Sequence, residues 1–286
     1  MKQDITHLPE RKQQELKAIT QIICDIAKPE MVILFGSYAR GDWVEDKYDK
    51  EHYRYQSDFD ILVLVQTRNE VTQGKLEREI EEKLDQEPSL KTPISIIVHD
   101  VEFVNRRLSK AQYFFSDIKK EGIYLYDSEQ FQLKEPKELS HAERQKIAQE
   151  DFNYWFEKVE NLLEIFQFAF QNKKCNEAAF ILHQITERLY TAILLVFTRY
   201  KPKSHDLLTL RKFANTIDPE LAMVFPLDTA ENKHLFKLLR NAYVDARYKP
   251  SYVITEIELT KLSDQVNYLK SLCEKLCQEK IKSFRT

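Results

Sequence analysis

The run MVILF at 31 to 35 stops on Gly36-Ser37, and a second apolar run, DILVLV at 60 to 65, begins directly behind Ser57-Asp58-Phe59. Short apolar runs rich in branched residues and bounded by Gly or polar residues read as buried strands. Asp is disfavoured in strands, so two carboxylates one residue apart at a strand start ask for a reason. Side chains at i and i+2 lie on one face, about 6 to 7 Å apart. Asp58 and Asp60 therefore reach one hard cation from the same side, while Phe59 points into the core. Mg²⁺ is commonly held by one or two carboxylates together with substrate phosphates. The chain has only 4 Gly, so Gly36 stands out; it lets the backbone approach a ligand or take positive φ. Ser37 adds a hydroxyl and an N–H. A short helix opening between Ala39 and Asp42 would turn free N–H groups toward an anion, and Arg40 adds a planar cation. Turn, carboxylate pair and Mg²⁺ together describe a nucleoside triphosphate site, with attack on the α-phosphate and pyrophosphate as leaving group.

Around this pair the first 127 residues alternate between helical and strand patterns. Leu16, Ile19, Ile22, Ile23 and Ile26 have helical spacing closed by Pro29, an exposed helix is expected over 71–86, and further strands at PISIIVH (93–99) and GIYLYD (122–127). That alternation predicts a small α/β domain with a mixed sheet over 1–127. The polar stretch 128–140 reads as a linker. From 141 to 286 no strand is evident, and apolar residues recur at three and four, as in Phe152, Trp155, Phe156, Val159, Leu162, Leu163 and Phe166. Five helices are expected, one of them unbroken over TAENKHLFKLLRNAYVDARY. Ser204 or Asp206 would cap the third, and Thr255 with Glu258 has capping-box spacing before the last. The fold class is α+β: a small α/β domain followed by an all-α helical bundle.

The net charge of −3, from 43 Lys+Arg against 46 Asp+Glu, argues against a general nucleic-acid coat protein. The cysteines, Cys24, Cys175, Cys273 and Cys277, form no zinc-type pair; Cys273 and Cys277, at i and i+4, read as packing residues. Free cysteines without a signal peptide indicate a cytoplasmic protein. The apolar stretch TAILLVF is too short to cross a membrane, so no membrane partner is expected.

GSYARGD followed by SDFDILV resembles the minimal nucleotidyltransferase domain of the polymerase-β superfamily, over roughly residues 10 to 127. The resemblance implies that Gly36 and Ser37 bind the triphosphate, ATP being the expected nucleotide, and that Asp58 and Asp60 bind Mg²⁺ and are catalytic. Arg40 joins the nucleotide-binding set. Many members carry a third carboxylate on a neighbouring strand. Here period two puts Ser95, Ile97 and His99 on one face of PISIIVHD, with Asp100 one residue past. His99 is a candidate base or a structural residue. The charged, aromatic-rich loop 42–56 either covers the acceptor or is simply solvated.

AAFILHQITERLYTAILLV, SHDLLTLRK and LLRNAYVDARYKPSY resemble a HEPN domain, over about 141–282. Ribonuclease members place a His a few residues after an Arg-polar pair. Arg240-Asn241 is present here, but Asp245, Ala246 and Arg247 follow. The resemblance instead points to nucleotide or substrate binding at Arg240, Arg247 and Tyr248. Gln184 and Glu187, polar on an apolar helix, are candidates to bond the Arg pair or line a cleft, with Glu187 a candidate base. His183 and His205 read as core or capping residues. The expected function is Mg²⁺-dependent transfer of a nucleoside monophosphate from an NTP to a hydroxyl of a small molecule or protein, by a homodimer. The alternatives are a catalytically degraded nucleotide-sensing module and a HEPN ribonuclease.

Overall fold

The computed structural model describes residues 4–44, 57–202 and 204–284; most of the expected 42–56 loop lies outside them. The chain divides into two compact units, Met1–Glu138 and Leu139–Thr286.

The first unit runs α1 (Glu10–Ala27), β1 (Met31–Phe35), α2 (Gly36–Arg40), β2 (Phe59–Val65), α3 (Glu70–Asp85), β3 (Ile94–Asp100), α4 (Val101–Ser109), α5 (Tyr113–Glu121) and β4 (Ile123–Asp127). Its four strands form one mixed sheet in the order β3-β2-β1-β4. β1 pairs antiparallel with β2 and β4, whereas β2 and β3 are parallel, a pairing that needs the crossover α3 supplies. One sheet face, with Val32, Leu34, Phe59, Ile61, Val63, Ile96 and Val98, forms a core with Leu16, Ile19 and Ile23 of α1 and Ile80 and Leu84 of α3. On the opposite face Phe35 meets Phe114 of α5 at 5.5 Å between ring centroids, and His99 meets Phe115 at 5.8 Å. Cover on both faces leaves every residue of β2 buried, the reason its sequence is nearly continuously apolar.

β3 lies at an edge of the sheet. There the Glu77 carboxylate of α3 accepts a hydrogen bond from the Val98 backbone N–H at 3.4 Å. Burial, chiefly, pushes the Glu77 carboxyl up to about 7. The two helices between β3 and β4 have no counterpart in the expected pattern; they are short, and α4 is started by Asp100, whose side chain accepts from Phe103 N at 2.7 Å. Residues 128–140 contain no helix or strand. Part of this stretch lies along the first unit: Lys119 Nζ donates to Leu133 O at 2.9 Å, and Lys137 N to Leu108 O at 3.0 Å.

The second unit is a bundle of α6 (His141–Gln171), α7 (Cys175–Thr198), α8 (Leu207–Asn215), α9 (Glu220–Met223), α10 (Ala230–Asn241), α11 (Asp245–Tyr248) and α12 (Glu256–Ser283). α7 packs against α6, α8, α10, α11 and α12, which explains a helix apolar on most sides. It is long and apolar enough to cross a membrane by composition, contrary to the short run expected, but 67% of its most apolar window is buried. Cys273 and Cys277 are buried in the same core. Asp206 caps α8, accepting from Leu208 N at 3.2 Å, and the Thr255–Glu258 capping box is formed.

The expected unbroken helix through 229–248 is two helices. His183 Nδ1 donates to Leu239 O at 3.0 Å and Tyr252 Oη to Leu238 O at 3.0 Å. Leu238 O and Leu239 O also accept from Ala242 N, at 3.0 and 3.3 Å, so the last turn of α10 is closed by backbone and side-chain donors together. Arg240 and Arg247, which one unbroken helix would set two turns apart on a single face, lie instead on α10 and α11.

Candidate active site

The centre of the first unit's site is the contact between the end of β1 and the start of β2. Phe35 is paired with Asp60, so the next residue, Gly36, lies against the Asp60 side chain. Gly36 has φ +74°, and a Cβ built on it would overlap Asp60 Oδ2 and stand 3.1 Å from Asp60 Cγ. Both the left-handed backbone and the missing side chain are thus required for the turn to sit on the carboxylate. Asp60 is buried and Asp58 partly buried. Burial first, and the Asp58 charge second, hold the Asp60 carboxyl well above the usual carboxylate range, while Arg40 opposes both. Gly36, Asp58, Asp60 and Arg40 are therefore brought together, with Ser37 in the same turn. Phe59 points the other way, fully buried.

Two adjacent carboxylates, one deeply desolvated, form a site whose repulsion a divalent cation relieves, and the donors are all oxygen. The chemistry of the set fits Mg²⁺, which Asp58 and Asp60 would hold.

Details differ from expectation. The short helix starts at Gly36, not near Ala39, and ends at Arg40, with Gly41 in the left-handed region. Its first N–H groups thus belong to the Gly-Ser turn itself. Arg40 also pairs with Asp42 at 3.1 Å. On β3, Ser95 stands directly beside Asp60, Ile97 beside Leu62 and His99 beside Leu64. No carboxylate of β3 lies on the Asp60 face. Asp100 is on the opposite one, where Gln73 Nε2 of α3 reaches its Oδ2 at 3.3 Å. His99 is no base for this site: it lies four residues along from Ser95, stacked on Phe103 at 4.4 Å.

The second unit gathers a different cluster. Glu187, nearly buried on α7, accepts from Lys201 Nζ at 3.1 Å and pairs with His205 Nδ1 at 2.9 Å. It does not bond Arg240 or Arg247, so of the roles expected for it the bond to the Arg pair is not formed. Gln184 does not either; its Nε2 is buried without a partner among the described residues. Arg240 grips Asp206 through Nε and, at 2.9 Å, through Nη2. Arg247 lies over the rings of Phe180, Tyr243 and Tyr248 at 4.8, 4.7 and 4.9 Å, and its Nε donates to Tyr243 O at 2.6 Å. Tyr243 in turn stacks on His205, centroids 5.0 Å apart and planes 11° from parallel.

His183 is a core residue, with burial pulling its pKa down, but His205 is not: its side chain is 60% exposed. His205, Asp206, Lys201 and Tyr243 are the members that sequence reasoning missed. The available signal was Glu187 itself, since a carboxylate on a buried helix needs cationic or donor partners.

Family models agree with both units. The model described as Polymerase beta, Nucleotidyltransferase matches residues 17–131, and that described as HEPN domain matches 152–276. The chain is a fusion of a polymerase-β-type nucleotidyltransferase domain and a HEPN domain. Comparison with curated proteins gave no match.

Proposed function

We propose that the chain is a Mg²⁺-dependent nucleotidyltransferase that moves a nucleoside monophosphate from an NTP, ATP first, to a hydroxyl of a small molecule or protein. The observation that carries this reading is the seating of Gly36 on the Asp60 carboxylate, with the Asp58 charge beside it. A turn suited to phosphates and a carboxylate pair suited to a metal meet at one point, within a domain of the nucleotidyltransferase family. In this reading Gly36 and Ser37 hold the triphosphate by backbone N–H and hydroxyl, and Arg40 offsets negative charge. Asp58 and Asp60 hold the ion. Bound Mg²⁺ supplies neutralisation of the attacking and leaving oxygens. The homodimer expected from the resemblance belongs to the proposal and is read by light scattering.

The test is transfer of label from α-labelled ATP to a pool of hydroxyl acceptors in the presence of Mg²⁺. Label transfer that disappears in Asp58→Asn and Asp60→Asn supports the enzyme. Tight Mg²⁺–ATP binding without turnover supports a nucleotide-sensing module instead, a reading favoured by Ser95 standing where a third carboxylate would.

One observation favours a second reading for the helical unit. His205 supplies an exposed imidazole oriented by Glu187, next in sequence to the Asp206 that binds Arg240. A base held by a carboxylate beside a cation is an acid–base arrangement, although it does not use the Arg-to-His spacing of ribonuclease members. RNA cleavage lost in both His205→Ala and Arg240→Ala would support a ribonuclease; cleavage indifferent to both would remove it.

A further inference from the structure

We infer that Lys12 is a positioning residue for the Gly36–Ser37 turn and the Asp58–Asp60 pair, acting through one buried ammonium that bridges the aromatic neighbours of both. The inference rests on the reading of that site as the nucleotide site.

Lys12 lies on the inner face of α1 and is fully buried. Burying an ammonium is costly unless it is bonded and paired, and a Met of similar length would fill the space without that cost. The partners show what the charge holds. Nζ donates to Thr92 Oγ1 at 2.6 Å. The Thr92 hydroxyl donates onward to Glu15 Oε2 at 2.5 Å, and Thr92 N reaches the same oxygen at 3.1 Å. The relay is proton-consistent: ammonium to hydroxyl to carboxylate. It fastens α1 to the residues that lead into β3.

The same Nζ lies 5.3 Å from the ring centroid of Tyr38 and 5.6 Å from that of Phe59, within cation–π range. The two rings touch each other at 4.5 Å. Tyr38 follows Ser37, and Phe59 separates Asp58 from Asp60. One cation thus faces two side chains, one from the candidate phosphate turn and one from between the candidate metal holders. The outer side of Tyr38 is also fixed: Trp43 stacks on it at 5.5 Å, and His7 Nε2 donates to its carbonyl at 2.9 Å. Lys12 closes the inner side. Without the charge the rings keep their apolar contact but lose the element tying both to α1 and Thr92, and the seating of Gly36 on Asp60 should loosen.

The experiment compares wild type with Lys12→Met by amide hydrogen exchange, thermal unfolding and calorimetric titration with Mg²⁺–ATP. The expected result is a several-fold faster exchange confined to residues 36–41 and 58–60, little change in Tm, and about tenfold weaker Mg²⁺–ATP binding. Unchanged exchange at these segments overturns the inference, as does a rise spread over the whole unit in step with a lowered Tm. If wild type binds no Mg²⁺–ATP, the nucleotide reading fails while the exchange comparison still decides the role of Lys12. Thr92→Val covers the case in which Lys12→Met does not fold. It leaves the ammonium but removes the Thr92 hydroxyl that links it to Glu15, and it must show the same local rise for the inference to stand.

Discussion

The two polar clusters of this chain are built in opposite ways. Asp58, Asp60, Gly36 and Arg40 come from two short segments, and the geometry follows from strand pairing and the alternation of side chains. Glu187, Lys201, His205, Asp206, Arg240 and Arg247 come from three helices and the turn after α7, and nothing local dictates that they meet. The first sets two carboxylates side by side, one of them buried, with the Arg40 charge opposing their repulsion. The second is largely neutralised inside itself, with Glu187 on Lys201 and His205 and Asp206 on Arg240. A site that leaves like charges together is organised for a ligand of opposite charge. One that pairs its charges is stable as it stands, and a ligand there must compete with existing bonds.

The sharpest break between the two is mutation of each in turn. Asp60→Asn should lower label transfer by 10²- to 10³-fold or more, roughly the cost of removing one preorganised electrostatic group, whereas Glu187→Gln should leave Mg²⁺–ATP binding by the first unit unchanged in calorimetric titration. Next is Gly36→Ala. Its Cβ overlaps the Asp60 carboxylate and the backbone is left-handed, so it should cost about 1–3 kcal/mol of stability by chemical denaturation and weaken nucleotide binding more than tenfold. Glu187→Ala should match it in stability but not in binding: about 1–3 kcal/mol lost from the helical unit, because two donors lose their acceptor, with Mg²⁺–ATP affinity intact.

The smallest effect concerns pH. Glu77 has a folded pKa of about 7 against an ordinary 4.5. A raised pKa means the folded chain holds the proton more tightly. The stability it contributes is complete below pH 4.5 and is lost as pH rises through 7. Denaturation of Glu77→Gln should therefore show a flatter pH profile than wild type between pH 5 and 8, the variant gaining on the order of 1–2 kcal/mol at the upper end. A profile parallel to wild type would place Glu77 in solvent.

How much of this was legible in the sequence follows from the same contrast. β1 and β2 were visible because both faces of the sheet are covered and the strands read as apolar runs. That no carboxylate of β3 shares the Asp60 face was visible by counting in twos along PISIIVHD, and the register of Ser95 with Asp60 agrees with the count. α4 and α5 were missed because each is nine residues long with only three buried positions. The break between α10 and α11 was not legible because 229–248 carries no Gly or Pro to mark it, and the side chains that bond the last carbonyls of α10, His183 and Tyr252, lie outside that stretch. His205 was misjudged for a related reason: beside Asp206 it looked like part of a cap, and only the tertiary fold turns it toward Glu187.

The most direct test is calorimetric titration of ATP into the protein, with and without Mg²⁺, for wild type and the Asp58→Asn/Asp60→Asn double variant. Binding by wild type that requires Mg²⁺ and vanishes in the double variant is the predicted result. Equal affinity in both proteins, or binding indifferent to the ion, would contradict it.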